Sequence, residues 1–297
     1  MIAPMEPSLP SIEPVSDVSP VAVGGLGGSG TRVVVSLLEA LNFDMGTDLN
    51  ESRDDLTFTA LFKRRSLWPP QAHQTAMKNA LESYVSSRHS LIPPQLSQLE
   101  HVQRAQQIGE ELLDEEAWQE PDKLEYCLKA LQRVGNRPAK WGWKEPNTHL
   151  FLPYLLSALP HMKYIHVVRN GLDMAFSSNQ NQLALWGESL LGRSVDTASP
   201  QDAFSFWCVA HDRLLSLMPT ANNRILLLGY ESLITDQAAT LARIGEFLSL
   251  SINDRSVLAW QQNLRAPSTV GRHRTKSPLI TTPEQDSVLE RLGYLQP

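Results

Sequence analysis

A glycine-rich stretch over residues 24–32, GGLGGSGTR, holds the residue types with the clearest chemistry in this chain. It follows the apolar run Val21–Val23, and Leu37, Leu38 and Leu41 recur after it at helical spacing. Glycines let the backbone turn sharply and come close to a ligand, and the first N–H groups of the following helix point at an anion. The stretch therefore predicts a strand, a loop and a helix that together bind phosphate.

The loop fits two nucleotide-binding patterns and departs from a third. Gly25-x-Gly27-x-x-Gly30 satisfies the dinucleotide fingerprint, and Gly25 and Gly30 also have the spacing of a nucleotide P-loop. The P-loop positions for Lys and for Ser or Thr hold Thr31 and Arg32 instead. Metal-assisted hydrolysis of a nucleoside triphosphate needs that lysine and that hydroxyl. The pattern predicts a phosphate site that requires no metal, and it leaves a dinucleotide possible.

Two further strands are predicted to end in a basic residue. Lys144 closes a short strand, and Arg169 directly follows the alternating run 162–168. A helix over 172–178 would carry Ser177 close to Arg169. In open α/β sheets ligands bind beyond the carboxyl ends of the strands, so both cations are expected near the glycine loop.

A polar run over residues 47–55 contains several carboxylates shortly after the first helix. One of them is a candidate general base, because a base must come within hydrogen-bond reach of the proton that it takes. Glu51 and Asp54 are preferred, and His149 is a rival because it follows the strand of Lys144. The alternative is a solvated loop that caps a helix.

Two later segments also suggest contacts with a nucleotide. Tyr230 follows a strand predicted over residues 225–228, and Gly271-Arg272 lies in the basic run 268–276 of an acidic protein. Glycine, serine and threonine between the cations favour phosphate binding there, and a solvated charge run is the alternative.

Composition limits the class of protein. The chain has 297 residues, 42% of them hydrophobic, and a net charge of −6, which argues against a nucleic-acid partner. Cys127 and Cys208 are the two cysteines, so neither a disulfide framework nor a cysteine metal cluster is expected. Without a membrane-length apolar run or a signal peptide, the expected compartment is the cytoplasm.

The chain divides into a lead-in and one domain. Residues 1–20 are proline-rich and are predicted to be disordered, and residues 21–297 form a single α/β domain. Within it, residues 56–137 have helical patterns interrupted by proline pairs. We predict a helical insertion there that acts as a lid or substrate-binding region, with plain core packing as the alternative.

In their order along the chain, these motifs resemble the sulfotransferases that use 3′-phosphoadenosine-5′-phosphosulfate (PAPS). Ser29-Gly30-Thr31 is similar to the 5′-phosphosulfate loop of that family, and the strand that leads into Arg169, with Ser177 beyond it, is similar to the 3′-phosphate element. The register from Lys144 to Arg169 is similar to the tyrosylprotein branch. Tyr230-Glu231 and Gly271-Arg272 resemble the later elements near the nucleotide.

The resemblance implies a three-layer α/β sandwich with a mostly parallel central sheet, like the P-loop NTPases. It implies transfer of the PAPS sulfonate to a hydroxyl, or secondarily an amine, of a small molecule, carbohydrate or peptide, without a metal. Lys144 would stabilise the sulfonate, with Glu51 or Asp54 as base. The residues implied in PAPS binding are Gly27, Gly28, Ser29, Gly30, Thr31, Arg32, Arg169, Ser177, Tyr230, Gly271 and Arg272.

One departure and two alternatives remain open. Many members of the family carry Lys or Arg inside the first loop, where this chain has Leu26, Gly27 and Gly28, so Lys144 and Arg32 are the candidate cations for the leaving group. A dinucleotide-dependent oxidoreductase is the first alternative function. A non-catalytic phosphate-binding or interaction protein is the second.

Overall fold

The computed structural model describes residues 9–89, 100, 103, 106–108, 129, 138–252, 255–265 and 268–295. Much of the predicted helical insertion lies outside the described residues, since residues 100, 103, 106–108 and 129 are the described ones between 90 and 137, and Cys127 lies outside them as well.

A four-stranded parallel sheet forms the centre of the molecule. Its strands are β1 Val21–Gly25, β2 Gly142–Lys144, β3 Lys163–Val168 and β4 Ile225–Gly229, in the order β2-β1-β3-β4. Val23 lies opposite Lys144 on one side and Ile165 on the other, so the carboxyl ends of neighbouring strands meet at one edge. This confirms the predicted parallel α/β sheet.

Helices cover both faces of this sheet. Side chains alternate along β1, so Val21 and Val23 belong to one hydrophobic cluster and Ala22 to the other. The result is the predicted three-layer sandwich. The helices are α1 Thr31–Ala40, α2 Leu56–Phe62, α3 Gln74–His89, α4 Thr148–Ala158, α5 Gly171–Ala175, α6 Asn181–Leu191, α7 Pro200–Leu217, α8 Tyr230–Thr235, α9 Gln237–Leu248, α10 Arg255–Asn263 and α11 Pro283–Arg291.

Two helix caps place residues near the carboxyl edge of the sheet. The Asn170 side chain accepts hydrogen bonds from the first backbone N–H groups of α5. That helix ends at Ala175, so the expectation of a helix over 172–178 is wrong, and Ser177 lies in the turn beyond it. Asp55 caps α2 and is buried, with its carboxylate also accepting from the Tyr84 hydroxyl at 2.9 Å.

Described parts of both predicted peripheral regions pack against the core. Phe58 of α2 stacks on Trp143 of β2 with ring centroids 4.9 Å apart. Before β1, Val18 is buried and the Val15 N–H donates to the Ala158 carbonyl at 2.8 Å. These contacts begin ahead of residue 21, while the division of the chain into a lead-in and one domain stays a prediction. None of the described helices combines the length and apolar character needed to cross a bilayer.

Candidate functional site

The glycine loop between β1 and α1 adopts a backbone that requires glycine. Gly28 and Gly30 have φ of 90° and 95°, in the left-handed region that side chains disfavour. A Cβ at Gly30 would also collide with the ring of Tyr230. Tyr230 therefore packs directly against the glycine loop.

The end of the loop presents groups suited to an anion. Helix geometry leaves the first two N–H groups of α1, those of Thr31 and Arg32, without an intrahelical acceptor. The Ser29 hydroxyl is buried without a hydrogen bond in the described part of the chain. Thr31 is buried at the first helical position and Arg32 is exposed beside it. The Gly27 N–H differs, because it donates to Gln182 Oε1 at 2.7 Å.

Arg169 leaves the end of β3 and crosses beneath the same loop. Its Nη1 donates to the Gly28 carbonyl at 3.3 Å and its Nη2 to the Thr269 hydroxyl at 2.7 Å, while Nε is buried without a partner among the described atoms. Its guanidinium also lies 5.4 Å from the centre of the Tyr230 ring. A buried guanidinium N–H without an acceptor is costly, and an anion at this position would satisfy it.

Asp173 holds the segment 271–273 against α5. Its carboxylate accepts from the N–H of Gly271 at 2.6 Å and that of His273 at 3.0 Å, and it lies 2.6 Å from His273 Nδ1. Burial acts to raise the pKa of Asp173, but these hydrogen bonds outweigh it and the pKa is lowered. The carboxylate is therefore ionised, and it fixes the backbone on both sides of Arg272.

Arg272 and Ser177 complete this second basic position. Arg272 Nη1 donates to the Phe176 carbonyl at 3.2 Å, and its pKa is lowered by burial and then by the charge of Arg169. A Cβ built on Gly28 would lie 3.7 Å from Ser177 Oγ, so the serine borders the loop. An anion between the two guanidinium groups would relieve their repulsion.

Lys144 ends β2 on the other side of β1 from Arg169. Its buried ammonium forms an ion pair with Asp54 and donates to the Ser52 carbonyl at 3.1 Å. Asn50 donates to the other Asp54 oxygen at 2.9 Å, which fixes the carboxylate. The structure thus brings two predicted catalytic residues together, whereas Glu51 is exposed on the same loop.

Glu145 is a candidate functional residue that sequence reasoning did not assign. Burial first, and then the charge of Asp54, raise the pKa of its carboxyl to about 7. It accepts from Asn147 Nδ2 at 2.6 Å. The available signal was its position, directly after the strand-ending Lys144.

His149 lies apart from the carboxylates of Asp54 and Glu145. It is buried beside Gln182 and 5.9 Å, ring to ring, from His166. Burial, followed by the charges of His211 and Arg213, lowers its pKa to about 3. Such a ring is a weak proton acceptor at neutral pH, which favours Asp54 as the base.

Among the described residues, no group of three or more His, Cys, Asp or Glu is arranged to hold a metal ion.

Comparisons with known proteins bear on the fold and on the family of this chain. A solved sulfotransferase domain of the Synechococcus PCC 7002 olefin synthase is similar in fold, with 14% identity and a TM-score of 0.51 over 98% of this chain and 99% of that one. A sulfotransferase domain from the curacin biosynthetic pathway matches with 12% identity and a TM-score of 0.49, over 95% and 100% of the two chains. No curated protein matches in sequence. The model of the "Sulfotransferase family" matches residues 20–254, so this chain belongs to the sulfotransferase family.

Proposed function

We propose that this protein transfers the sulfonate group of PAPS to a hydroxyl acceptor and releases 3′-phosphoadenosine 5′-phosphate (PAP). The observation that carries the proposal is two sets of groups at one sheet edge that could each donate hydrogen bonds to an anion. One is the glycine loop with the start of α1, and the other is formed by Arg169, Arg272 and Ser177. PAPS carries phosphate at both its 5′ and 3′ positions, so it matches this pair, whereas a dinucleotide with a single pyrophosphate leaves the second position unused.

Two buried atoms that have no hydrogen-bond partner among the described residues support the fit. Ser29 Oγ faces the 5′-phosphate position that we assign to the loop, and Arg169 Nε belongs to the 3′-phosphate position. Each is a polar group whose burial is unfavourable until an acceptor arrives. Tyr230, packed between Gly30 and Arg169, is proposed to lie near the adenosine.

The residues at the end of β2 supply the chemistry of transfer. Asp54 takes the proton of the acceptor hydroxyl, with Glu51 as the second candidate base. The acceptor oxygen forms a bond to sulfur while the bond from sulfur to the 5′-phosphate oxygen breaks, and negative charge moves onto the leaving phosphate. An ammonium has three N–H donors, and the contacts to Asp54 and the Ser52 carbonyl use two of those on Lys144. The third is proposed to stabilise the sulfonate and the leaving oxygen.

The acceptor is proposed to be a small molecule or carbohydrate, with a peptide or an amine as the second choice. Neither Lys144 nor Asp54 selects among hydroxyl groups, so the selecting residues are expected to be elsewhere in the cleft. Much of the insertion predicted to contain them lies outside the described residues. The cytoplasmic compartment stays a prediction.

The decisive experiment measures ligand-induced stabilisation and transfer together. We expect 100 μM PAP to raise the melting temperature more than equal NAD or ATP, because a ligand that binds the native state stabilises it by mass action. Labelled PAPS should then transfer sulfonate to one member of a panel of phenols, alcohols, sugars and hydroxylated peptides. Stabilisation by NAD alone would support the oxidoreductase alternative. Stabilisation by PAP without any transfer would support a non-catalytic phosphate-binding protein.

A further inference from the structure

Two buried side-chain amides connect the glycine loop to the carboxyl end of β2. Gly27 N–H donates to Gln182 Oε1 at 2.7 Å, and Gln182 Nε2 donates to Asn147 Oδ1 at 3.1 Å. Asn147 Nδ2 then donates to Glu145 Oε1 at 2.6 Å. We call Gln182 and Asn147 the amide relay. It begins in the loop assigned to the 5′-phosphate and ends on the residue that follows Lys144.

The polarity of the amide relay is fixed at both ends. A backbone N–H and an indole N–H can only donate, and Trp186 Nε1 donates to Asn147 Oδ1 at 3.0 Å. The Asn147 oxygen must therefore face Trp186 and Gln182, which leaves its nitrogen for Glu145. The Gln182 oxygen must likewise face Gly27. If either amide turned over, two donors or two acceptors would face each other.

The amide relay is buried and joins three separate segments of the chain. Asn147 is 4%, Gln182 8% and Glu145 3% exposed. Gln182 belongs to α6, Asn147 precedes α4, and Glu145 follows β2. A fully satisfied polar network in a low-dielectric interior resists displacement, because breaking one bond leaves a buried polar group unpaired.

We propose that Gln182 and Asn147 are positioning residues for sulfonate transfer. This inference rests on the proposed function and adds two statements to it. First, the Gly27 N–H is occupied by the amide relay, so Gly27 shapes the loop and the anion is held by the N–H groups that follow. Second, β1–β2 pairing holds Lys144 beside Val23, and the amide relay adds a fixed distance from Gly27 in the loop to the residue after Lys144, and so between the sulfonate and the groups that act on it.

Loss of the amide relay should affect the rate of sulfonate transfer and the affinity for PAP differently. The nucleotide is also held by Arg169, Arg272 and the start of α1, and the hydrogen bonds that Arg169 and Arg272 make to described residues do not involve Gln182. Reaction geometry is more demanding, since a misplacement of about 1 Å can lower a rate by roughly 100-fold. Loss of the amide relay should therefore lower kcat far more than it weakens PAP binding.

The test compares Gln182→Met with Gln201→Met in the full chain. Methionine keeps most of the side-chain volume but makes neither amide hydrogen bond. Gln201 is a matched control because its amide, like that of Gln182, both donates and accepts a hydrogen bond, here with the carbonyl and N–H of Ile280 at 2.7 and 3.2 Å, outside the proposed site. With labelled PAPS and the best acceptor of the panel, we expect Gln182→Met to lower kcat by about 10- to 100-fold. The Kd of PAP should change by less than about threefold, and Gln201→Met should change neither by more than about twofold, as is usual for a hydrogen bond remote from the site.

A second variant, Gln182→Glu, gives a signature that a merely structural role would not produce. A protonated glutamic acid can donate to Asn147 and accept from Gly27, whereas a carboxylate places an oxygen against Asn147 Oδ1. Activity relative to wild type should therefore recover as pH falls toward 5.5. This variant also serves if Gln182→Met fails to fold.

Four outcomes would overturn the inference or its basis. An unchanged kcat in Gln182→Met, or a Kd for PAP that rises as much as kcat falls, would remove the positioning role while leaving the proposed function intact. A relative activity of Gln182→Glu that is independent of pH would do the same. A wild-type chain that binds PAP but transfers no sulfonate to any acceptor would overturn the proposed function, and the amide relay's role with it.

Discussion

At the scale of single residues, the pairing of Lys144 with Asp54 is the feature closest to the proposed chemistry. The ammonium is buried and the carboxylate is partly buried at the end of β2. Each has a further hydrogen-bond partner, the Ser52 carbonyl for Lys144 and the Asn50 amide for Asp54. Lysine and carboxylate thus position one another before any substrate arrives. The pairing also means that neither can be replaced without affecting the other's charge.

Replacing Lys144 by methionine should reduce turnover with little loss of nucleotide. The variant keeps the aliphatic stem but removes the donor proposed for the sulfonate, so we expect kcat to fall by about 100- to 1,000-fold, as for other lost transition-state donors. The Kd of PAP, from calorimetry, should change by less than about threefold. Lys163→Met is the matched control, because that lysine donates to the Phe247 carbonyl at the opposite end of β3. Equal losses in kcat and affinity would show that Lys144 binds the nucleotide instead.

Glu145 makes folding stability fall as pH rises. Its pKa is raised from 4.5 to about 7 in the folded protein, so the native state binds more protons than the unfolded state between those values. The stabilisation is complete below the unfolded pKa and is lost as pH rises through the folded pKa, by about 3 kcal/mol in total.

Glu145→Gln should therefore be more stable than wild type only at high pH. Glutamine keeps an oxygen for the Asn147 amide and carries no charge. The difference in free energy of unfolding in urea should grow from near zero at pH 5 to about 3 kcal/mol at pH 8. A constant difference across this range would mean that the folded carboxyl titrates near its ordinary value.

At the scale of elements, strand ends explain why much of the site could be predicted. Apolar runs that stop at a cation, as at Lys144 and Arg169, identify parallel strands and the edge where their ends meet. Glycine spacing identified the loop. Glu145 and Gln182 could not be assigned in this way, because a raised pKa depends on burial and a relay depends on contacts between distant segments. For Ser177 the helix was predicted too long, but the expected position of the residue near the loop agrees with the structure.

The 271–273 segment packs beside α5 and leads into a short 3₁₀ turn over Arg272–Thr275. The Asp173 carboxylate accepts from its Gly271 and His273 N–H groups and lies 2.6 Å from His273 Nδ1. Because ionised acceptors make stronger hydrogen bonds than neutral ones, this carboxylate contributes to the order of the whole segment.

Asp173→Asn should release this segment and weaken PAP binding. An amide offers one acceptor oxygen and turns its NH₂ toward a donor, so we expect a loss of about 2 kcal/mol in stability and about tenfold in PAP affinity. Hydrogen exchange of the Gly271 and His273 amides should accelerate. Asp212→Asn removes an exposed ion pair with Arg291 and is the control, expected to cost less than about 1 kcal/mol. Unchanged exchange in Asp173→Asn would contradict the anchoring role.

At the scale of the whole molecule, three buried histidines connect the layers behind the site. His166 Nε2 lies 3.3 Å from His211 Nε2, His211 Nδ1 lies 2.7 Å from the Trp207 carbonyl, and His149 packs against His166. Burial is the largest cause that lowers the pKa of each ring, to about 3 for His149 and about 4 for His211, and well below its ordinary value for His166. The core therefore holds them neutral.

As pH falls, the three histidines lower the free energy of unfolding, whereas Glu145 raises it. A histidine whose folded pKa is lowered contributes stability above its unfolded pKa of 6.5, and that stability is lost as pH falls, by about 1.4 kcal/mol per pH unit for each ring. Protonation of Glu145 over the same range restores about 2 kcal/mol. From pH 7.5 to 5.5, His211→Gln should consequently lose about 1.4 kcal/mol less stability than wild type, and Glu145→Gln about 2 kcal/mol more. His161→Gln, at an exposed position, should follow wild type. If His211→Gln and wild type lost the same stability, the pKa of His211 would not be lowered in the folded protein. The buried histidines would then not explain a loss of stability at low pH.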